Sequence, residues 1–386
     1  MIKNELGVFC FMRVKKGVIL LGLASLFNDI GSEIIAPVLP FLITMFGGSG
    51  VELGIIGGFR EGLSSLLKVF SGYFSDKFGK KKPFVFSGYF VSAFSKLGLF
   101  FSKTWQHILV FVSFDRVGKG VRDAPRDAMI SSLMPKEKGK GFGVHRALDT
   151  SGAVIGSIIA FALLFSGVNL MGIVLVGAVV SFLSLFPVLA VKEGNLKKSS
   201  KSFIISIKSL SFNLKVFLLV VVLFYLANFS YMFFMLKART LGLFAPVLLY
   251  VISNVFYAGL SIPSGYFFDK FGWKVLAFGY FVFALTCIGF AFNDSFAVFV
   301  LLFALYGFSY ALIDGNHRAM ISELSSSSLR GTALGVYHTT VGLVAIPSSI
   351  IAGILWNVNS SYPFFFSSLV SICALILILA LSKHFK

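Results

Sequence analysis

This 386-residue sequence predicts an all-α integral membrane protein: twelve transmembrane helices in two pseudo-symmetric six-helix bundles. Three observations carry that expectation. The chain is 57% hydrophobic and only 13% charged, with 47 Phe and a mean hydropathy of +0.90, a composition that water does not dissolve. Its apolar runs are unbroken and long enough to cross about 30 Å of hydrocarbon as helices, not the short alternating stretches of a β-barrel. Finally, Gly72-Tyr73-Phe74-Ser75-Asp76-Lys77-Phe78-Gly79 returns as Gly265-Tyr266-Phe267-Phe268-Asp269-Lys270-Phe271-Gly272. The offset is 265 − 72 = 193 residues, half the chain, so the fold is a doubled unit.

The spans follow in order as expected cores 17–45, 52–75, 83–102, 106–133, 141–166, 168–191, 212–236, 244–268, 274–293, 296–322, 332–356 and 362–382, numbered span 1 to span 12. Residues 1–191 are expected to form the first bundle and 212–386 the second. A Lys- and Ser-rich stretch, 192–211, reads as a solvated tether between them. Lys3, Arg13, Lys15 and Lys16 precede an apolar run too long for a cleaved signal peptide, so this run is expected to stay as span 1. Cys10, Cys287 and Cys373 have neither metal nor redox spacing and read as packing residues, with no metal or cofactor implied.

The net charge of +18 suggests nucleic acid until it is sorted by position. Of the bases outside the spans, only Lys103, Lys237 and Arg239 fall opposite the tether. That bias places both termini in the cytoplasm of a cell membrane and assigns the charge to topology, with no nucleic-acid partner. Inside the spans, Arg60, Lys68, Lys96, Arg116, Lys119, Arg122, Arg126, Arg146 and Arg318 nearly balance Asp29, Glu33, Glu61, Asp115, Asp123, Asp127, Asp149 and Asp314. Each such charge costs about 3 kcal/mol at the bilayer centre on insertion scales, so these groups must pair or face a wet cavity. Nearly all precede residue 150. The second half keeps Asp314 and Arg318 with Asn228, Asn254, His317 and His338.

Span 1 places Asn28, Asp29 and Glu33 near mid-membrane, followed by Pro37 and Pro40. Two carboxylates four apart share a helix face and repel unless a base intervenes. Arg60 of span 2, beside Glu61, is the expected partner, either in a permanent salt bridge or as a movable cation that lets a carboxylate carry protons. In span 4, Asp115, Lys119, Arg122 and Arg126 form one stripe and Arg116, Asp123 and Asp127 the adjacent one. They predict either a structural ion-pair network or a path for substrate or coupling ion. Gly152-x-x-x-Gly156-Ser157 of span 5 suits close helix packing.

With these residues on the page, the chain resembles the major facilitator superfamily of transporters. The motif Gly72, Asp76, Lys77, Gly79, Lys80 looks like that superfamily's loop between helices 2 and 3, with a degenerate copy at Asp269 and Gly272. The resemblance implies two bundles rocking around a central cavity lined mainly by spans 1, 4, 7 and 10 and their neighbours, and a latch at this loop that holds one state. Arg116-x-x-Lys119-Gly120 stands where the family has an Arg-x-x-Gln-Gly motif linked with proton coupling, and the span 5 glycines stand where antiporters have Gly-x-x-x-Gly-Pro. Lys119 replaces the Gln and Ser157 the Pro. The function expected is alternating-access secondary transport by a monomer in the lipid bilayer, namely proton-coupled efflux of a small organic molecule. The alternative is uptake or exchange of an organic anion drawn by Lys119, Arg122 and Arg126; a membrane sensor and an intramembrane enzyme rank below it. No sequence motif for covalent chemistry or nucleotide binding is present.

Overall fold

The computed structural model describes residues 14–135, 138–192, 210–325 and 330–385. The described residues are helical with no strand, and the helices follow the expected spans. Span 1 comprises Lys16–Ile35 and Leu39–Met45, span 2 Gly50–Phe78, span 3 Lys82–Phe100, span 4 Trp105–Leu133, span 5 Lys138–Phe165, and span 6 Leu170–Phe182 with Leu185–Ala190. The second half repeats the order. Span 7 comprises Phe212–Ala227 and Met232–Lys237, then follow Phe244–Phe271, Trp273–Phe292, Phe296–Leu324, Arg330–Val358 and Tyr362–Ala380 as spans 8 to 12. The expected tether falls almost wholly outside the described residues, as does Cys10.

Ten of the twelve spans are apolar enough to cross a membrane on composition alone. Spans 2 and 4 are not, although each is 29 residues long, because they carry the intramembrane charges. Spans 1 and 7 are interrupted at corresponding depths. Pro37 and Pro40 break the first, since a Pro lacks the N–H its turn needs. The second breaks at Asn228, whose own N–H still reaches the Phe224 carbonyl. Pro125 sits inside span 4 without ending it.

The sequence reading of Gly72–Gly79 as a loop is corrected here. Residues 72–78 are the last turns of span 2, and the turn itself begins at Gly79, which ends the helix with φ +68. A left-handed residue at this place is most cheaply glycine. Gly272 also ends span 8 at a positive φ, +57, but with ψ −135, outside the left-handed helical region. The repeat therefore preserves a helix terminus and its cap.

The halves meet along spans 2 and 11. A methyl group added at Gly50, Gly54, Gly58 or Gly62 would approach Gly353, Ser349, Ile346 or Gly342 backbone atoms at 2.3 to 2.9 Å. The helices thus touch backbone to backbone, as small residues permit. Asn357 Oδ1 accepts from the Gly50 N–H at 2.8 Å at the end of this seam. The seam runs from the face opposite the tether, here the far face, to about mid-depth. Toward the tether face the halves part: Gly143, Gly315 and Gly335 meet nothing within 4 Å. Side chains of Glu61 (51% exposed) and Arg146 (54% exposed) are open to solvent although both sit well inside long helices.

Candidate functional site

A cavity of about 260 Å³ lies between the halves. Span 1 contributes Asp29, Ser32 and Glu33; span 4 contributes Arg116 and Lys119; span 5 contributes Arg146, Asp149 and Thr150. The opposite wall is Tyr250, Asn254 and Tyr257, spaced i, i+4 and i+7 on span 8 so that they face one way. Spans 1, 4, 5 and 8 line this cavity: two of the four spans expected to dominate, with 5 and 8 from among their neighbours. The reason is packing. Gly152 lies against the Leu26 carbonyl and Gly156 against the Ile30 carbonyl, closely enough that a methyl group would come within 2.7 and 2.5 Å. Those glycines bring span 5 onto span 1 and Asp149 toward Asp29.

The carboxylates find partners other than those expected. Tyr250 donates to Glu33 Oε2 at 2.8 Å, a hydrogen bond between the halves. Asp149 accepts from Ser25 at 2.7 Å and pairs with Arg146 at 3.1 Å, while Asp29 lines the same cavity. Arg60 makes no ion pair with Asp29 or Glu33 among the described residues. It stands 5.1 Å over the Tyr231 ring and 3.8 Å from Glu61. It is buried and lines a small cavity with Ser32 and Ile35 of span 1.

The charges of span 4 divide into two classes. Asp115 is buried and accepts from Lys96 at 2.9 Å, from Arg116 Nη2 at 2.7 Å and from Ser92. Lys96 also reaches Asn28 at 3.2 Å, so Asn28 belongs to this buried cluster, not to the cavity wall. Asp123 is held by Lys68 at 3.0 Å and Arg126 at 3.3 Å. Arg126 further holds Asp127 at 3.0 Å. Arg122 is buried with its guanidinium 4.4 Å over the Tyr89 ring, an arrangement that attracts a cation to an aromatic face. Arg122 and Arg126 thus stand outside the cavity wall, and Lys119 alone of the three bases expected to draw an anion lines the cavity.

In the second half, Asp314 accepts from Tyr257 at 2.9 Å and Arg318 at 2.5 Å, and Arg146 approaches it to 4.0 Å across the halves. His317 does not line the cavity. It is fully buried against Tyr280, 2.7 Å away, with Phe217 and Phe224 around it. Asn228 accepts from Tyr310 at 2.7 Å where span 7 breaks, and the His338 ring packs beside Tyr337 at 5.1 Å. In the repeated motif Lys77, Lys80 and Asp269 are exposed; the Asp76 side chain lies outside what is described. Sequence reasoning left Lys96, Lys68, Arg146 and Asp149 out of the site, and Tyr250 and Tyr257 unremarked. The one available signal was the polar stripe Tyr250, Asn254, Tyr257 in an otherwise apolar helix. Among the described residues, no group of His, Cys, Asp or Glu is placed to hold a metal ion.

Comparison with known proteins agrees with this architecture. The family model for the Major Facilitator Superfamily matches residues 21–272 and 236–384. The chain is 45% identical over 377 residues to an uncharacterized MFS-type transporter of Methanocaldococcus jannaschii, covering 95% of each. It is 30% identical over 125 residues to multidrug resistance protein MdtH of Shigella dysenteriae, covering 32% of this chain and 30% of that one. In fold it is similar to the nucleoside transporter NupG, with a TM-score of 0.77 and 14% identity over 96% of this chain and 99% of that one. It is also similar to the POT family transporter PepTSo, with a TM-score of 0.79 and 12% identity over 96% and 98%. This chain is an integral membrane transporter of the major facilitator superfamily.

Proposed function

We propose that the protein is a proton-coupled secondary transporter that moves a small organic molecule by alternating access, and that Asp29 and Asp149 hold the coupling proton. One observation carries this reading: two carboxyl groups, from spans 1 and 5, line one cavity between the halves. Two carboxylates facing one cavity repel unless a proton or a cation stands between them. Arg146 and Lys119 stand beside them as cations. As the halves rock, a change in their distance from the pair changes its hold on the proton.

The seam at the far face and the parting toward the tether support a state open to one side. With the positive-inside bias, that side is the cytoplasm and the membrane is the cell membrane. The terminus of span 2 at Gly72, Asp76 and Gly79 is proposed to steady this state as a latch.

Two readings of direction have separate support. Efflux is supported by the partial span 5 motif and by the likeness to MdtH, which covers 32% of the chain. Carriage of an organic anion is supported by Lys119 in the cavity wall.

Coupling is tested in proteoliposomes with an internal pH dye. An imposed pH gradient drives substrate movement in the unaltered protein. Asp149→Asn and Asp29→Asn abolish gradient-driven accumulation while leaving exchange at zero gradient. Accumulation that survives both substitutions refutes the proton site. The sign of substrate movement under an inward proton gradient decides the direction.

A further inference from the structure

The cavity's polar atoms are not evenly satisfied. Glu33 receives the Tyr250 hydroxyl; Asp149 receives Ser25 and Arg146; Asp29 receives the Asn28 amide at 3.4 Å. The acceptors are therefore engaged. The buried atoms of the wall left without a hydrogen-bond partner are Arg116 Nε and Asn254 Nδ2, both donors. Lys119, which adds three more N–H groups, has no ion pair within 4.0 Å among the described residues. It points into the same space from one turn beyond Arg116. Buried donors without partners cost free energy until an acceptor arrives.

Charge points the same way. Arg116 and Lys96 share the single charge of Asp115, and Arg146 is shared between Asp149 and Asp314. With one proton held between Asp29 and Asp149, that pair carries a single negative charge beside the cations Lys119 and Arg146. Across the cavity, span 8 supplies only phenols, an amide and alanine, and the remaining carboxylate of the wall, Glu33, is engaged by the Tyr250 hydroxyl. A volume of about 260 Å³ suits an occupant on the order of a dozen heavy atoms.

Resting on the transporter reading above, we propose that the substrate is a small organic anion, a carboxylate or phosphate, whose charged end docks on Lys119, Arg116 Nε and the Asn254 amide. Its body packs against the rings of Tyr250 and Tyr257. Losing the shared proton would add a second negative charge next to the docked anion. Proton and anion therefore favour each other's binding, and by linkage each raises the other's affinity. The coupling this produces is cotransport of the two in one direction.

The test is equilibrium binding to the purified full chain in detergent, where no gradient is present, so its outcome is independent of whether Asp29 and Asp149 couple transport. Probes of one shape and different charge are benzoate, phenyl phosphate, benzamide and benzylamine. Benzoate, phenyl phosphate or both raise the melting temperature and bind measurably by calorimetry; benzamide and protonated benzylamine do not. Lys119→Gln weakens the anion roughly tenfold or more, as for loss of a charge-assisted hydrogen bond, Lys119→Arg largely restores it, and Asn254→Leu weakens it without altering charge. Proton uptake accompanies anion binding in weakly buffered solution.

Preference for benzylamine, binding unaffected by Lys119→Gln in a folded variant, or no shift with either anion overturns the proposal. If Lys119→Gln does not fold, the Asn254→Leu and Lys119→Arg measurements decide it. Benzoate against phenyl phosphate distinguishes the headgroup.

Discussion

The two halves share a plan and use opposite chemistry. In the first, ion pairs tie spans 2, 3 and 4 together: Lys96 with Asp115, and Lys68 and Arg126 with Asp123. In the second, rings occupy the corresponding interior. Phe224 stacks on Tyr280 at 4.4 Å, Phe234 meets Tyr306 at 4.5 Å, and His317 is held among them. Ion pairs depend on every partner being present, because one missing partner leaves a bare charge in a dry interior. Aromatic packing degrades gradually, each contact being worth about 1 kcal/mol. The cavity lies where the charged wall of one half meets the phenol wall of the other. Charge can therefore change on one side while the other side only donates or accepts hydrogen bonds.

The largest effect expected from breaking this contrast is at Asp115. Asp115→Leu leaves Lys96 and Arg116 without their shared carboxylate, at a cost of about 3–5 kcal/mol in stability. Thermal unfolding in detergent reads this as a large drop in melting temperature, and adding Lys96→Met recovers much of it. A small drop with no recovery would mean the cluster is wet and not structural.

Arg122→Met should cost about 2 kcal/mol, because the guanidinium over Tyr89 is desolvated. It should leave benzoate affinity within a factor of about two, since Arg122 is outside the cavity. The comparison with Lys119→Gln is the informative one: one variant moves the melting temperature, the other the affinity. Reversal of that pattern would exchange the two residues' roles.

Tyr250→Phe removes the hydrogen bond to Glu33 between the halves, worth about 1–2 kcal/mol for a charged acceptor. The expected result is a shift in the balance of open states. Cysteine labelling from the two membrane sides would detect it, with folding nearly unchanged. Labelling identical to the unaltered protein would show that other contacts set that balance.

The smallest effect is expected at His317. His317→Phe replaces a buried ring with another and leaves the Tyr280 hydroxyl without its partner, for about 1–2 kcal/mol of stability. Transport per folded molecule should not change. A loss of transport at normal stability would return His317 to the pathway the sequence assigned it.

Sequence alone determined the class, the number of spans and the repeat. The bilayer imposes a length and an apolarity that survive in any window of about twenty residues, and doubling leaves the same motif at half the chain. It also located the unusual helix, because charge at membrane depth cannot be incidental. What it did not contain was which charge meets which. Asp29 and Arg60 look like partners when only spans 1 and 2 are compared. The glycines at 152 and 156 bring span 5 against span 1 and give Asp29 a different neighbour, Asp149. Lys119 and Arg122 stand three residues apart on one stripe, but the close approach of Gly118 to Gly88 presses Arg122 into Tyr89 and leaves Lys119 facing the gap. The role of span 8 was hidden for the same reason. A tyrosine in an apolar helix reads as packing until another half of the molecule puts a carboxylate opposite it. Local pattern fixes helices because their hydrogen bonds are local; the site depended on contacts between residues up to 217 apart, which only the packed structure decides.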